Sequence, residues 1–325
     1  MELTLRTFNL LRRVKGSSET TQSKNKTTMN FNLKNFYKTQ HKNEKSISPE
    51  FLTWFIGFFE GDGSFQKNGT VRITQSSTDI QILYRVKTTM GFGTVRIQDS
   101  KSKTLGPSTH CWTTNVDQKC AARLTLLFNG NLITNHKLKT FKTWFNFWKN
   151  KKNNQEFMTL IGSNFTLQDK PKPQLLSLYN SWLSGFIDAD GCWTISLYKT
   201  QWKNPAASVL LLVAAQNDPE WVTNIITILQ LGRKGRQKNN INQCWVVQRR
   251  DQLDIMLSYI ERFPHKTKKS ISFNKFCKVR RRILKKEHHG NGYEKIKSLA
   301  SLINPKNVYP KEEEDRKDAS GPKEE

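Results

Sequence analysis

The chain has 325 residues, enough for two domains or two halves of one, and its 53 Lys and Arg against 27 Asp and Glu leave a formal net charge of +26. Aromatics make up 11%, which excludes wholesale disorder, and apolar runs such as FIGFF (55–59) and VLLLVAA (209–215) fall far short of the ~18–20 residues of a membrane span. A compact state at this charge repels itself, so the composition points to a polyanionic partner, nucleic acid first and an anionic membrane surface second.

Residues 1–15 (MELTLRTFNLLRRVK) carry four basic residues and one acid, a pattern shared by transit peptides and solvated basic arms. With the Ser-, Thr-, Asn- and Lys-rich stretch that follows, 1–47 reads as a mobile basic extension. Ser48-Pro49-Glu50 is a helix start: an N-cap hydroxyl, a proline in the first turn, then an acid. The helix runs to about Glu60 and is apolar nearly all round, so it is expected to be buried. Lys67-Asn68-Gly69-Thr70 predicts a tight turn between short strands at 64–67 and 70–75. IQILYRVKTTM (80–90) predicts a helix closed by Gly91. The polar, basic stretch 149–173, with Pro171 and Pro173, suits a linker. Beyond it the pattern predicts a helix over 175–187 and strands over 192–203 and 207–215. Asp218-Pro219-Glu220 then caps a helix with Val222, Ile225, Ile226 and Leu229 on one face, ended by Gly232. Residues 305–325, with seven acids, five bases and three prolines, read as a charged disordered tail. The five cysteines are odd in number and form no Cys-x-x-Cys, which argues against a disulfide framework or a zinc site and for a reducing compartment.

The two folded blocks, 48–148 and 174–304, look like copies. FIGFFEGDG at 55–63 returns as LSGFIDADG at 183–191, 128 residues later. Gln75 precedes Gly91 by 16 residues, and Gln216 precedes Gly232 by 16. Cys111-Trp112 matches Cys244-Trp245, and His136-Lys137 matches His265-Lys266. Four coincidences in one order predict a pseudo-twofold molecule, each block reading helix, hairpin, helix, hairpin, helix: an α+β fold.

Both repeated helices end in Asp-Gly, at Asp62-Gly63 and Asp190-Gly191. A carboxylate at the negative end of a helix is mildly unfavourable, and the same awkward acid placed twice calls for a cation. Carboxylates with the backbone oxygens of Gly61 and Ala189 suit Mg²⁺, with Mn²⁺ able to substitute. Gly57 and Gly61, and Gly185 and Ala189, lie four apart on one face of each helix. Packing by that face would bring Asp62 and Asp190 side by side.

FIGFFEGDG and LSGFIDADG resemble the two signature helices of the LAGLIDADG homing endonucleases and intron maturases, over about residues 48–304. The resemblance implies two α-β-β-α-β-β-α repeats whose antiparallel sheets form a saddle over DNA. It implies that Asp62 and Asp190 bind divalent metal and activate water, and that Glu60 and Asp188 are structural. It also implies polar groups near the hydrolytic water, matched by Gln75 and Gln216, and a basic residue late in the fourth strand. Arg249 fits the last position in the second half; the first half offers Asn115 there, a departure that puts its basic pocket in doubt. Groove-facing positions are Gln66, Thr70, Arg72, Thr74, Arg96 and Gln98 in the first repeat. In the second they are Ser196, Tyr198, Thr200, Trp202, Arg236 and Lys238. The basic cluster 278–282 is expected to meet phosphates.

The expectation is a monomeric, metal-dependent endonuclease that cuts a double-stranded DNA site and leaves short 3′ overhangs, with no membrane partner. The alternative is a maturase that binds its own intron RNA, which would not need the acids. The Lys- and Asn-rich composition resembles that of proteins from AT-rich organelle genomes, mitochondrial first and chloroplast second.

Overall fold

The computed structural model describes residues 30–40, 46–98, 109–200, 204–214, 218–236 and 243–304. After a short helix α1 (Lys34–Tyr37), the first repeat runs α2 (Pro49–Asp62), β1 (Gly63–Phe65), β2 (Val71–Ser76), α3 (Ile80–Met90), β3 (Thr94–Gln98), β4 (Thr109–Thr113), α4 (Gln118–Phe128) and α5 (Asn135–Lys149). Helix α6 (Gln155–Ile161) lies in the connector. The second repeat runs α7 (Trp182–Asp190), β5 (Gly191–Tyr198), β6 (Ala206–Ala214), α8 (Pro219–Leu229), β7 (Arg233–Arg236), β8 (Gln243–Val247), α9 (Arg250–Arg262) and α10 (Lys269–Leu284), and α11 (Tyr293–Ser301) follows. The strands form two antiparallel sheets of one topology, β1-β2-β4-β3 and β5-β6-β8-β7. Each repeat therefore has the expected order, with a second helix added at its end.

Local chemistry sets the boundaries. The Ser48 hydroxyl accepts from the Phe51 N–H, and Asp218 caps α8 by accepting from Trp221 N–H. Gly91 closes α3 in the left-handed conformation, at φ +76°. The second signature helix starts at Trp182, seven residues later than the pattern predicts. Pro173–Leu175 spends itself in a single 3₁₀ turn, and Asn180 bonds in both directions, to Leu175 O and from Trp182 N–H. Gly232 does not end α8. Gln230 takes the left-handed position, and Gly232 lies against the Trp245 indole, as Gly93 lies against Trp112.

Part of the stretch expected to be mobile is packed: Leu33, Phe36 and Ile47 belong to the core. The connector is also structured, because Phe157 of α6 is fully buried against Phe145 and Trp148. The tail 305–325 lies outside the described residues.

Candidate active site

The centre of the molecule is the crossing of α2 and α7. A Cβ on Gly57 would lie 2.0 Å from Trp182 O, and one on Gly185 would lie 2.0 Å from Trp54 O, so only glycine lets the backbones meet this closely. Further along, a Cβ on Gly61 would lie 2.2 Å from the Ala189 Cβ and 3.1 Å from Asp190 Oδ2. The small-residue faces thus pack as the sequence predicts, and the two terminal acids come together. Burial, and then the charge of Asp190, push the Asp62 carboxyl up to about 7.

The acids one turn earlier have another task. Glu60 accepts from Ile133 N–H, Thr134 N–H and the Thr134 hydroxyl, and from the Trp182 indole of the other repeat. Burial still pushes it up to about 7. Asp188 mirrors it, accepting from Lys266 N–H, the Thr267 hydroxyl and the Trp54 indole. It also faces His265 Nδ1 at 3.1 Å, while His265 Nε2 accepts from Trp193. Burial alone would raise the Asp188 carboxyl; His265 and these donors outweigh it and hold it low. Each signature acid therefore anchors its own repeat's final helices and the tryptophan of the opposite signature helix. A further reciprocal pair reinforces this. Asp79 accepts from Lys268 N–H at the start of α10, and Asp218 accepts from Asn135 N–H at the start of α5.

Gln75, next to last in β2, lies on the same side as Val71 and Ile73, which turns it toward the helix crossing, and its amide donates to Asp62 Oδ2. Gln216 lies outside the described residues. Gly63 pairs with Ile73 and Gly191 with Val213. Arg249 is not brought to the acids. It lies beyond the end of β8 that pairs with Leu211, away from the Gly191 end of the sheet, and is exposed and ion-paired with Asp251. Asn115 lies past the matching end of β4.

The cations that reach the site are Lys137 and Lys269. The Lys137 amine donates to Gly63 O, and the Lys269 amine donates to Gly191 O and Ala189 O. Burial pulls both amines down, and the charges of Asp62 and Asp190 oppose that pull in both. The match of His136-Lys137 with His265-Lys266 is thus corrected: Lys269 is the counterpart of Lys137. The signal available in the sequence was a lysine shortly after Thr134 and after Thr267, the threonines that bind the signature acids.

On the outer face of the first sheet, register aligns Gln66, Arg72, Thr74, Arg96 and Gln98. Thr74 donates to Gln98 Oε1, and Thr70 is buried in the turn against Asn68. In the second sheet Ser196 and Tyr198 are exposed on the corresponding face, and the Thr200 hydroxyl bonds Asn204 O. In β7, Arg233 is exposed opposite Val246, and Arg236 pairs with Gln243. Trp202 and Lys238 lie outside the described residues.

Among the described residues no three His, Cys, Asp or Glu side chains cluster as a closed metal site. The donors near the crossing are hard oxygens: two carboxylates and the carbonyls of the helix ends. Such a set fits a divalent cation that also takes oxygens from a substrate.

A family model described as "LAGLIDADG endonuclease" matches residues 183–280. The chain is 35% identical over 245 residues to a Neurospora crassa protein named "Probable intron-encoded endonuclease 4"; the match covers 74% of this chain and 41% of that protein's length. It is 20% identical over 229 residues to the Dictyostelium discoideum "Probable intron-encoded endonuclease aI3", covering 65% of this chain and 89% of that one. Among solved structures, I-SmaMI bound to uncleaved DNA target in the presence of calcium ions superposes with a TM-score of 0.56 at 17% identity, covering 77% of this chain and 97% of that one. The I-LtrWI LAGLIDADG homing endonuclease bound to target DNA gives 0.60 at 18%, covering 79% and 98%. At these identities the structural likeness shows a shared fold. Among the described residues no helix is long and apolar enough to cross a membrane.

Proposed function

We propose that the chain is a LAGLIDADG-type site-specific endonuclease that binds duplex DNA as a monomer and hydrolyses one phosphodiester on each strand, a reading supported by the family-model match over residues 183–280 and by the Neurospora relative. The observation that carries this reading is the pair of carboxylates, Asp62 and Asp190, held together at the helix crossing between two amines. The net charge of +26 supports a nucleic-acid partner. Asp62, Asp190 and the carbonyls of Gly61 and Ala189 would hold a divalent ion, Mg²⁺ in the cell with Mn²⁺ able to replace it. When bound, the ion would supply Lewis acidity at the scissile phosphate and lower the pKa of water.

The chain's own groups then divide the remaining work. Gln75 orients the Asp62 carboxylate and sits where it can position a water. Lys137 and Lys269 place positive charge where the phosphate becomes more negative in the transition state. Glu60 and Asp188 hold the crossing together. The outer sheet faces reach into the major groove, which a two-stranded ribbon fits, and short 3′ overhangs follow from cuts across the minor groove. An RNA maturase would need the charge and the sheets but not the paired acids, so the acids favour the endonuclease. The names of both relatives support an intron-encoded origin, and the composition supports a mitochondrial genome ahead of a chloroplast one.

The test is incubation of the chain with Mg²⁺ and the intronless form of its host gene, followed by mapping of cut ends. Paired cuts with 3′ overhangs support the proposal; an intact duplex at saturating protein contradicts it. Binding to that duplex should also weaken by about 10³–10⁵ between 50 and 200 mM salt if roughly 6–10 phosphates are neutralised.

A further inference from the structure

The outer faces of the two sheets occupy equivalent positions and differ in chemistry. The anchors are Trp112 opposite Ile73 and Trp245 opposite Val213, both buried on the inner face. Counted from them, Arg72 of the first sheet corresponds to Leu212 of the second, and the turn residue Thr70 to Leu210. Thr113 corresponds to Val246, and Arg96 to Gly235. The position of Arg96 is held by a glycine at 235, where a Cβ would lie 2.6 Å from Val246 Cγ2 and 3.0 Å from Cys244 Sγ, so a side chain there would have to displace its neighbours. Leu210 and Leu212 are partly exposed. The second sheet thus carries an apolar strip starting one residue from Gly191, since Leu212 pairs with Cys192. Polar groups rim it: Ser208 and Arg233 both bond Gln248, and Ser196 is exposed.

An apolar side chain leaves the polar edge groups of either kind of base pair unpaired, guanine O6 and N7 and the cytosine amine as much as adenine N6 and N7 and thymine O4, so what it can discriminate by is apolar contact. The thymine C5-methyl is the one apolar feature in the major groove. Leu210 and Leu212 stand two residues apart, about 6.6 Å along the strand, close to two base-pair steps. The strip also continues directly from the paired acids. Resting on the endonuclease reading above, we propose that the half-site under the second sheet is read by apolar contact. It would carry thymine at the two or three base pairs nearest the cut, whereas the half-site under the first sheet is read by hydrogen bonds from Arg72, Arg96 and Gln98.

The test starts from a duplex library randomised in both halves, cleaved by the full chain with Mg²⁺, and sequenced. One half of the cleaved pool should be enriched in thymine near the cut. Replacing those thymines by deoxyuridine, which removes only the methyl, should weaken binding about fourfold per methyl. The same replacement in the other half should change little. Leu212→Arg should shift one position of the thymine-rich half toward guanine and leave the other half unchanged. Equal binding of thymine and uracil duplexes by the wild-type chain, or no thymine enrichment, overturns the proposal while leaving the endonuclease intact. A chain that cleaves no member of the library contradicts the endonuclease itself. A light-scattering dimer that Leu212→Arg turns into a monomer, with base preference unchanged, would assign the strip to a second copy and overturn the proposal.

Discussion

Where the two repeats meet, they place the same groups in the same relation. Trp54 donates to Asp188 as Trp182 donates to Glu60, and Lys137 holds Gly63 O as Lys269 holds Gly191 O. On the sheets, one strand away, Arg72 faces out of the first repeat where Leu212 faces out of the second. The contrast follows from packing. At the crossing each residue is the other repeat's environment, so a change on one side needs a matching change on the other. On the sheets each face meets only its own half of a ligand and is free to diverge.

The largest effect should come from breaking the shared crossing. Gly57→Ala and Gly185→Ala each push a methyl into a carbonyl of the opposite helix. Both should cost about 3 kcal/mol or more, read by urea denaturation. Gly91→Ala, at φ +76° with nothing within 4 Å of its Cβ, should cost only about 1 kcal/mol. If the crossing substitutions cost no more than this control, the close approach is not what holds the repeats together.

Next come the amines. Lys137→Met and Lys269→Met should each slow cleavage by about 10²-fold with binding little changed, because each removes one cation beside the reacting phosphate. Time courses on supercoiled plasmid give the rates. Equal losses would extend the symmetry of the crossing to the chemistry; unequal losses would show which strand depends on which amine.

The signature acids should respond unequally to loss of their indole donors. Asp188 is held in its charged form, and hydrogen bonds to a charged group are the stronger kind. Glu60, pushed up to about 7, is largely protonated at pH 6. Trp54→Phe should therefore cost about 2 kcal/mol at pH 6 and Trp182→Phe about 1 kcal/mol. A reversed order in denaturation midpoints would contradict the assignment of charge.

The smallest effect is on pH dependence. A carboxyl whose folded pKa lies above its unfolded one binds more protons folded than unfolded between the two values. For Asp62, raised from 3.8 to about 7, stability without metal should fall as pH rises from about 4 to about 7 and then level off. Asp188 has the opposite sign: its contribution is present above the unfolded value and lost as pH falls through its lowered one. Glu60, also raised to about 7, adds a slope of the same sign, so Asp62→Asn should reduce the fall between pH 5 and 7 without removing it, and an unchanged slope would show that Asp62 contributes nothing to it.

Much of this was legible in the sequence because local physics wrote it there. Small residues four apart marked the crossing face, and Ser48 and Asp218 marked helix starts by their own capping bonds. Spacing failed where tertiary contacts decide. Gly91 and Gly232 share a distance from a glutamine, but one closes a helix and the other makes room for an indole. Arg249 had the right charge, and strand register turned it away from the acids. Lys137 and Lys269 stood out little among 53 basic residues, since only the fold shows that the threonines just before them bind the signature acids and that their amines are drawn inward.

The central claim is that Asp62 and Asp190 form one composite site at the crossing of α2 and α7. It is tested most directly by Asp62→Asn and Asp190→Asn on a supercoiled plasmid carrying the target, with duplex binding measured in parallel. Each substitution should abolish linearisation, by about 10³-fold or more in rate, while binding holds or tightens as a negative charge leaves the phosphate's side. Linear product at the wild-type rate from either variant would contradict it.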